Sequence, residues 1–334
     1  MYLMIISGFA LALLSYYITT DGIPHDLGGP AWMYMLSLSA LLVCSLLHIL
    51  VHELGHVIFG KLSGYEFKGM SVLGLWTLRT DDGKKRMFFP IAGIGGATVM
   101  YPKDGYRDDT PYTMFLMGGA LMNILLTMVF AAVHVLNISP LVNFFAFIGA
   151  TIGVVMILVT LIPMTAGLGA NDMCVLRLFR RDDASKHCAY FLQKRTFALL
   201  SGANPANYAD SVPADLPIGN RLADAVRLAV VETDIANRRY DAAETQLLDL
   251  LKCLEDGTMI SNIAKLYLIF IRTVGGADRE AVDAVYDDKM KKFVRAFGNT
   301  DLEAMLFLVA YEKRFGTGAV DIDATIKRFN AKMR

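Results

Sequence analysis

Two histidines and a glutamate near the end of a long apolar stretch have the types and spacing needed for metal-dependent hydrolysis. In His52-Glu53-Leu54-Gly55-His56 the histidines are four residues apart, so in an α-helix both lie on one face and can bind the same ion. Glu53 projects about 100° around the helix from His52, within reach of a water activated by that ion. Zinc with three protein ligands keeps a fourth position for water, and a carboxylate can take the proton from it. The pattern therefore predicts a zinc site with Glu53 as general base.

A pattern this short also arises by chance, and a hydrogen-bonded cluster between helices is the alternative interpretation. Placing two histidines and a carboxylate near the end of an apolar segment costs free energy unless the side chains pair with one another or have a function. This cost favours the functional interpretation. His48 lies one turn before His52 on nearly the same face. It could support the ligands or serve as a spare ligand, but packing against a neighbouring helix is the favoured interpretation.

The histidine pair leaves one ligand to be supplied by another part of the chain. Residues 113–170 contain no Lys, Arg, Asp or Glu, and Asp172 is the first acid after them. Pro163, Gly167 and Gly169 interrupt the helix before it, which lets the chain turn back toward the histidines. Asp172 is therefore predicted to be the third ligand. Its alternative role is the N-cap of the next helix, for which Asn171 competes.

Four apolar stretches are long enough to cross a membrane and to position these residues. The hydrophobic fraction of 54% and the mean hydropathy of +0.43 are too high for an ordinary soluble protein. A hydrocarbon core of about 30 Å needs about 20 apolar residues. The predicted spans are residues 2–19, 31–59, 112–136 and 141–163. The first lacks a basic start and a good cleavage site, so a retained helix is expected rather than a signal peptide.

The basic residues predict how these spans are oriented. The loop at residues 20–30 and the turn at 137–140 contain no Lys or Arg, whereas the stretch between the second and third spans contains eight. Basic loops stay in the cytoplasm. We therefore predict a multi-pass protein of the cell membrane with both termini cytoplasmic. The net charge of zero gives no indication of a nucleic-acid partner.

A β-hairpin insert is predicted at about residues 66–100, between the second and third spans. Asp82-Gly83 lies between β-rich runs, a strong hairpin signal, with strands expected at about 66–79 and 84–100. Gly93, Gly95 and Gly96 would permit a close backbone approach. An exposed edge of this hairpin could pair with an extended substrate. An ordinary cytoplasmic hairpin is the alternative.

Amphipathic helices of ordinary length follow from about residue 217. The segment ANRRYDAAETQLLDLLK weakly resembles a tetratricopeptide helix pair, although no 34-residue repeat runs through the region. The predicted fold is thus mainly α: about four transmembrane helices, a β-hairpin insert and a C-terminal α-solenoid-like domain. The expected boundaries are 1–198 for the membrane domain, 199–216 for a linker and 217–334 for a cytoplasmic domain. That last domain would bind a protein partner or gate access.

Three separated elements together resemble the site-2 protease type of intramembrane zinc metalloproteases. They are the H-E-x-x-H pattern in the first core span, GGALMN at 118–123, and IPMTAGLGAND at 162–172. The resemblance implies zinc as cofactor, with ligands His52, His56 and Asp172 and with Glu53 as catalytic base. Asn123 would position the substrate strand or the oxyanion, an interhelical hydrogen bond being the alternative. Met173 departs from the pattern, because the family usually has Gly after the Asp.

The function implied by the resemblance is that of a zinc-dependent endopeptidase. It would cleave membrane-protein or signal-peptide-like substrates in or near their transmembrane segments, at the cytoplasmic side. The alternative is a catalytically inactive membrane scaffold that acts through the helical domain. The complete His52, Glu53, His56 and Asp172 set argues against a scaffold, which has no reason to keep all four.

Overall fold

A computed structural model describes residues 30–89, 95–107, 109–166, 169–207, 212–297, 302–318 and 320–333. The predicted first span, residues 2–19, lies outside these ranges. So do Gly93, predicted to permit a close backbone approach, and Gly167, predicted to interrupt the helix. The chain divides into two compact units: Met1–Lys186 with Thr196–Ser201, and His187–Arg195 with Gly202–Arg334. The predicted boundaries at 198 and 217 stay predictions.

Three helices of the first unit are long and apolar enough to cross a membrane. They are α1 (Pro30–Leu62), α2 (Thr113–Leu136) and α3 (Pro140–Leu161). Many of their large apolar side chains are exposed, as lipid-facing side chains are: Leu38, Met128 and Leu158 are examples. The described residues thus contain the second, third and fourth predicted spans, and the fold is mainly helical, as predicted.

The turn between α2 and α3 has local causes in the sequence. Asn137 adopts the left-handed conformation after α2, with φ of 50°, which Asn tolerates better than most residues. The side chain of Ser139 then caps α3 by accepting a hydrogen bond from the Val142 amide, and Pro140 starts the helix. The chain therefore reverses within a few residues, and α3 returns beside α2.

Close glycine packing joins α1 to α2. A Cβ atom on Gly55 would lie 2.3 Å from the Gly118 carbonyl oxygen, and one on Gly118 would lie 2.6 Å from the Gly55 oxygen. Only glycine permits this approach, which is typical of helix pairs in membranes. The contact fixes the H-E-x-x-H segment of α1 against the GGALMN segment of α2.

A four-stranded antiparallel sheet stands where a single hairpin was predicted. Its strands are β1 (Tyr65–Val72), β2 (Leu75–Thr80), β3 (Gly83–Phe88) and β4 (Gly96–Pro102), in the order β3-β2-β1-β4. The turn before Gly83 joins β2 to β3 as expected. The prediction of two long strands was wrong, because Leu73 and Gly74, with φ of 48° and 83°, form a second tight turn. The run 84–100 is likewise split into β3 and β4.

Two very short strands and two helices follow α3. β5 (Thr165–Ala166) pairs with β6 (Gly169–Ala170), and α4 (Asp172–Arg181) begins directly afterwards. In α5 (Asp183–Ser201) both ends belong to the first unit and residues 187–195 to the second. The interruption predicted from Pro163 onward therefore contains two short paired strands, and Asp172 follows them as the first residue of α4.

The second unit is helical in its described residues. A 3-10 turn (Pro205–Asn207) precedes seven helices: α6 (Arg221–Ala236), α7 (Tyr240–Cys253), α8 (Met259–Gly275), α9 (Arg279–Asp283), α10 (Asp288–Phe297), α11 (Leu302–Phe315) and α12 (Ile322–Met333). One apolar cluster joins α6, α7 and α8, and another joins α8 to α11. The central helix α8 buries both of its faces. The α-solenoid assignment and the linker at 199–216 stay predictions.

Candidate metal centre

Three donor atoms from two helices converge at one point in the first unit. His52 Nε2 lies 3.1 Å from Asp172 Oδ2 and 3.2 Å from His56 Nε2, and His56 Nε2 lies 3.3 Å from Asp172 Oδ2. The two histidines meet because they are one turn apart on α1. Asp172 joins them as the first residue of α4, 120 residues after His52.

This triangle fits a tetrahedral zinc ion. Zinc bonds of about 2.0–2.1 Å at tetrahedral angles place the ligand atoms about 3.3–3.4 Å apart. The three edges here are 3.1, 3.2 and 3.3 Å. Two imidazoles and one carboxylate are also a donor set of catalytic zinc sites, in which a fourth position stays open. Both the spacing and the chemistry of the donors therefore suit zinc.

A backbone carbonyl orients His56. Its Nδ1 lies 2.8 Å from the Phe115 oxygen, which can only accept a hydrogen bond. The proton of the neutral ring is therefore on Nδ1, and the lone pair of Nε2 points at the other two donors. Nothing in the sequence indicated this contact, because any residue type can supply a backbone carbonyl.

A glycine and an amide hold the ring of His52. A Cβ atom on Gly119 would lie 2.4 Å from His52 Cε1 and 2.5 Å from Nε2, so the ring rests on bare backbone of α2. On its other side, His52 Nδ1 lies 3.3 Å from the side-chain amide of Asn123. These contacts leave the ring little freedom to turn.

Asn123 lies behind His52 and is fully buried. Its amide also lies 3.1 Å from Nδ1 of His48, so it bridges two rings of α1 from its place on α2. This is the interhelical hydrogen bond that was the alternative prediction for Asn123. His48 is also fully buried and packs against Phe130 and the Gly149 carbonyl, in line with the favoured packing interpretation.

Asn171 anchors the segment that supplies Asp172. It takes the N-cap position of α4, so the carboxylate of Asp172 is free for other contacts. The Asn171 side chain also ties the end of α3 to this cap. Its Nδ2 donates to the carbonyls of Val159, Thr160 and Ile162, and its Oδ1 accepts from the amides of Met164 and Cys174.

Met173 does not disturb this arrangement. It stands within the first turn of α4, where the backbone is helical. Met173 is not one of the described non-glycine residues that have a positive φ, so its position does not require glycine. The departure from the family pattern therefore leaves the placement of Asp172 intact.

Strand β4 orients the carboxylate of Glu53. The Thr98 hydroxyl donates a 2.6 Å hydrogen bond to Glu53 Oε2, and a Cβ atom on Gly96 would lie 2.4 Å from Oε1. Glu53 is only 5% exposed, so this contact decides where the carboxylate points. Gly96 was predicted to permit a close approach, and it does. Thr98 was missed, because a lone threonine in a strand carries no signal of such a role.

Comparison with known protein families gives one match. The sequence model described as peptidase family M50 matches residues 40–307, which include the three elements identified in the sequence. M50 is the site-2 protease family, whose members are zinc metalloproteases, so the predicted resemblance is confirmed. Comparisons with curated proteins and with solved structures give no match.

Proposed function

The chain belongs to peptidase family M50, and we propose that it is a zinc-dependent intramembrane endopeptidase. Its substrates would be membrane proteins or signal-peptide-like segments, cleaved in or near the membrane. The observation that carries the proposal is that the donor atom of Asp172 meets those of His52 and His56, which lie on a helix apolar enough to span a membrane. The buried Glu53 adjoins this triad and has no ion-pair partner among the described cationic side chains.

Glu53 is the proposed general base and acid. Zinc, when held by the three ligands, would activate a water and polarise the peptide carbonyl. Glu53 would accept the proton from the attacking water and deliver it to the leaving amine. The hydrogen bond from Thr98 to Oε2 supports this role, since it fixes the plane of the carboxylate and leaves Oε1 free for the water.

Strand β4 is the proposed docking site for the scissile segment. Peptide bonds in a helix are shielded, so the substrate must be extended before it can be cut. β4 is at the edge of the sheet, and an extended peptide can add to such an edge through backbone hydrogen bonds. Since Gly96 and Thr98 of this same strand contact Glu53, a peptide paired there would lie close to the base.

The site is proposed to open toward the cytoplasm. His56 is six residues, or about 9 Å, from the end of α1 at Leu62, and Lys61 lies in the last turn. Asp172 also follows the end of an apolar helix, so water need not cross the bilayer centre. Basic loops favour the cytoplasmic side, which would place the C-terminal helical unit there. That unit is the proposed site for a cytoplasmic protein partner.

The substitution Glu53→Gln tests the proposal. The enzyme, purified in detergent and reconstituted in liposomes with a panel of single-span membrane proteins, should cut at least one of them. Glu53→Gln should keep stoichiometric zinc and lose the cleavage. Glu66→Gln, which changes a half-exposed carboxylate on β1, is the control and should cleave normally. Normal cleavage by Glu53→Gln would show that this carboxylate is not the base. Absence of zinc, with no effect of His52→Ala, would favour the scaffold.

A further inference from the structure

His48 is a buried histidine that the proposed chemistry does not use. Its ring is fully buried where α1 meets α2 and α3, between the Asn123 amide of α2 and the Gly149 carbonyl of α3. A Cβ atom on Gly153 would lie 2.7 Å from His48 Cε1, so glycine at that position makes room for the ring. An imidazole placed so closely among backbone groups has a defined orientation.

The Gly149 carbonyl decides which His48 nitrogen carries the proton. His48 Nε2 lies 2.9 Å from this oxygen, which can only accept, so Nε2–H is the donor. Among the described residues, the polar contacts of His48 are this carbonyl and Asn123, with no carboxylate. A neutral imidazole carries a single proton, and the Gly149 contact places it on Nε2. Nδ1 of His48 is therefore a hydrogen-bond acceptor.

That acceptor in turn decides how the amide of Asn123 is arranged. In the structure Oδ1 of Asn123 lies 3.1 Å from His48 Nδ1 and Nδ2 lies 3.3 Å from His52 Nδ1. With a neutral His48 that donates from Nε2, this placement would set two lone pairs against each other at His48 Nδ1. Nδ2 would then donate to His52 Nδ1 and move the proton of His52 to Nε2, where it would block a metal. The two ends of an amide exchange by a half turn with almost no change in shape. Only with Nδ2 toward His48 and Oδ1 toward His52 are all these buried groups paired.

We propose that His48 is a positioning residue that acts through Asn123 to keep the Nε2 of His52 free for zinc. The relay runs from the Gly149 carbonyl to His48, then to Asn123, and then to the Nδ1–H of His52, and it crosses three spans. It rests on the proposed zinc site. In this relay the Asn123 side chain donates a hydrogen bond to His48 through Nδ2 and therefore accepts one from the ligand His52 through Oδ1.

Zinc and cobalt affinities of the full-length protein, measured by competition with a chelator in detergent, test the relay. Loss of a group that orients a metal ligand typically weakens metal binding by about 10- to 100-fold. His48→Leu should show a loss of this size and an altered visible spectrum of bound cobalt. His48→Gln should recover most of the affinity, since its amide can donate to Gly149 and accept from Asn123. Cys44→Ala, one turn earlier and also buried against α3, is the control and should bind normally.

An Asn123→Asp background separates orientation from packing. Both ends of a carboxylate accept hydrogen bonds, so no orientation remains for His48 to select. His48→Leu should therefore cost far less metal affinity in that background than in the unsubstituted protein. An equal cost in both backgrounds, or normal metal binding by folded His48→Leu, would overturn the relay while the zinc site stands. If the unsubstituted protein bound no metal, the proposed function and the relay would fall together.

Discussion

Gly119→Ala adds a single carbon and should displace the ring of the metal ligand His52. The added Cβ would lie 2.4 Å from His52 Cε1, and ordinary contact begins at 3.4 Å, so the ring would have to retreat by 3.4 − 2.4 = 1.0 Å. The ring cannot retreat freely, because Asn123 holds its other side. Zinc sites tolerate deviations of about 0.2 Å in bond length, so the ligand would leave its working position.

The expected size of the effect follows from the cost of overpacking. Inserting a carbon into a tightly packed interior costs about 1–3 kcal/mol. If the strain falls on the ligand ring, zinc affinity should drop by about 5- to 140-fold, since about 1.4 kcal/mol corresponds to a factor of ten. Cleavage should fall with zinc occupancy and recover in part when zinc is added in excess.

Zinc affinity by chelator competition is the assay, with unfolding of the metal-free protein followed in parallel. Gly95→Ala is the control, because its added Cβ would approach no closer than 3.4 Å to Ile49 Cδ1. That variant should bind zinc normally. Wild-type zinc affinity and cleavage in Gly119→Ala would show that the ring does not rest on Gly119, and would refute the geometry of the site.

Two further substitutions test the supports of the base and of the third ligand. Thr98→Val removes the hydrogen-bond donor to Glu53, and a hydrogen bond to a charged group contributes about 1.5–3 kcal/mol. The kcat should therefore fall tenfold or more while the zinc content stays unchanged. Single-turnover kinetics and metal analysis would measure the two quantities. Unchanged kcat would mean that Glu53 needs no orienting partner. Asn171→Ala breaks the cap and the ties to α3, so both thermal stability and zinc affinity should fall. Loss of stability with normal zinc affinity would show that Asp172 is positioned without Asn171.

Local patterns in the sequence were enough to predict the helices that build the centre. The third and fourth spans were expected at 112–136 and 141–163, and the helices run over Thr113–Leu136 and Pro140–Leu161. Apolar length and the turn at residues 137–140 are properties of neighbouring residues, so the sequence displays them directly. Asp172 could be singled out because the preceding 58 residues, 113–170, contain no other acid.

Two supporting contacts across long sequence separations escaped prediction, although the still longer one from Asp172 to His52 did not. Thr98 meets Glu53 over 45 positions, and the Phe115 carbonyl meets His56 over 59. Such pairs depend on how the sheet and α2 dock against α1, which no local pattern encodes. The split of the predicted hairpin has a similar origin. Leu73 adopts a positive φ that its residue type does not suggest, so the turn there was hidden.

X-ray absorption at the zinc edge of the purified full-length protein tests the central claim most directly. The account predicts one zinc per chain, bound by two imidazole nitrogens at about 2.0–2.1 Å and by oxygen at about 2.0–2.2 Å. The imidazole signal should weaken in His52→Ala. Absence of zinc would contradict the account. So would a sulfur shell at about 2.3 Å, since it would assign the metal to cysteine and not to His52, His56 and Asp172.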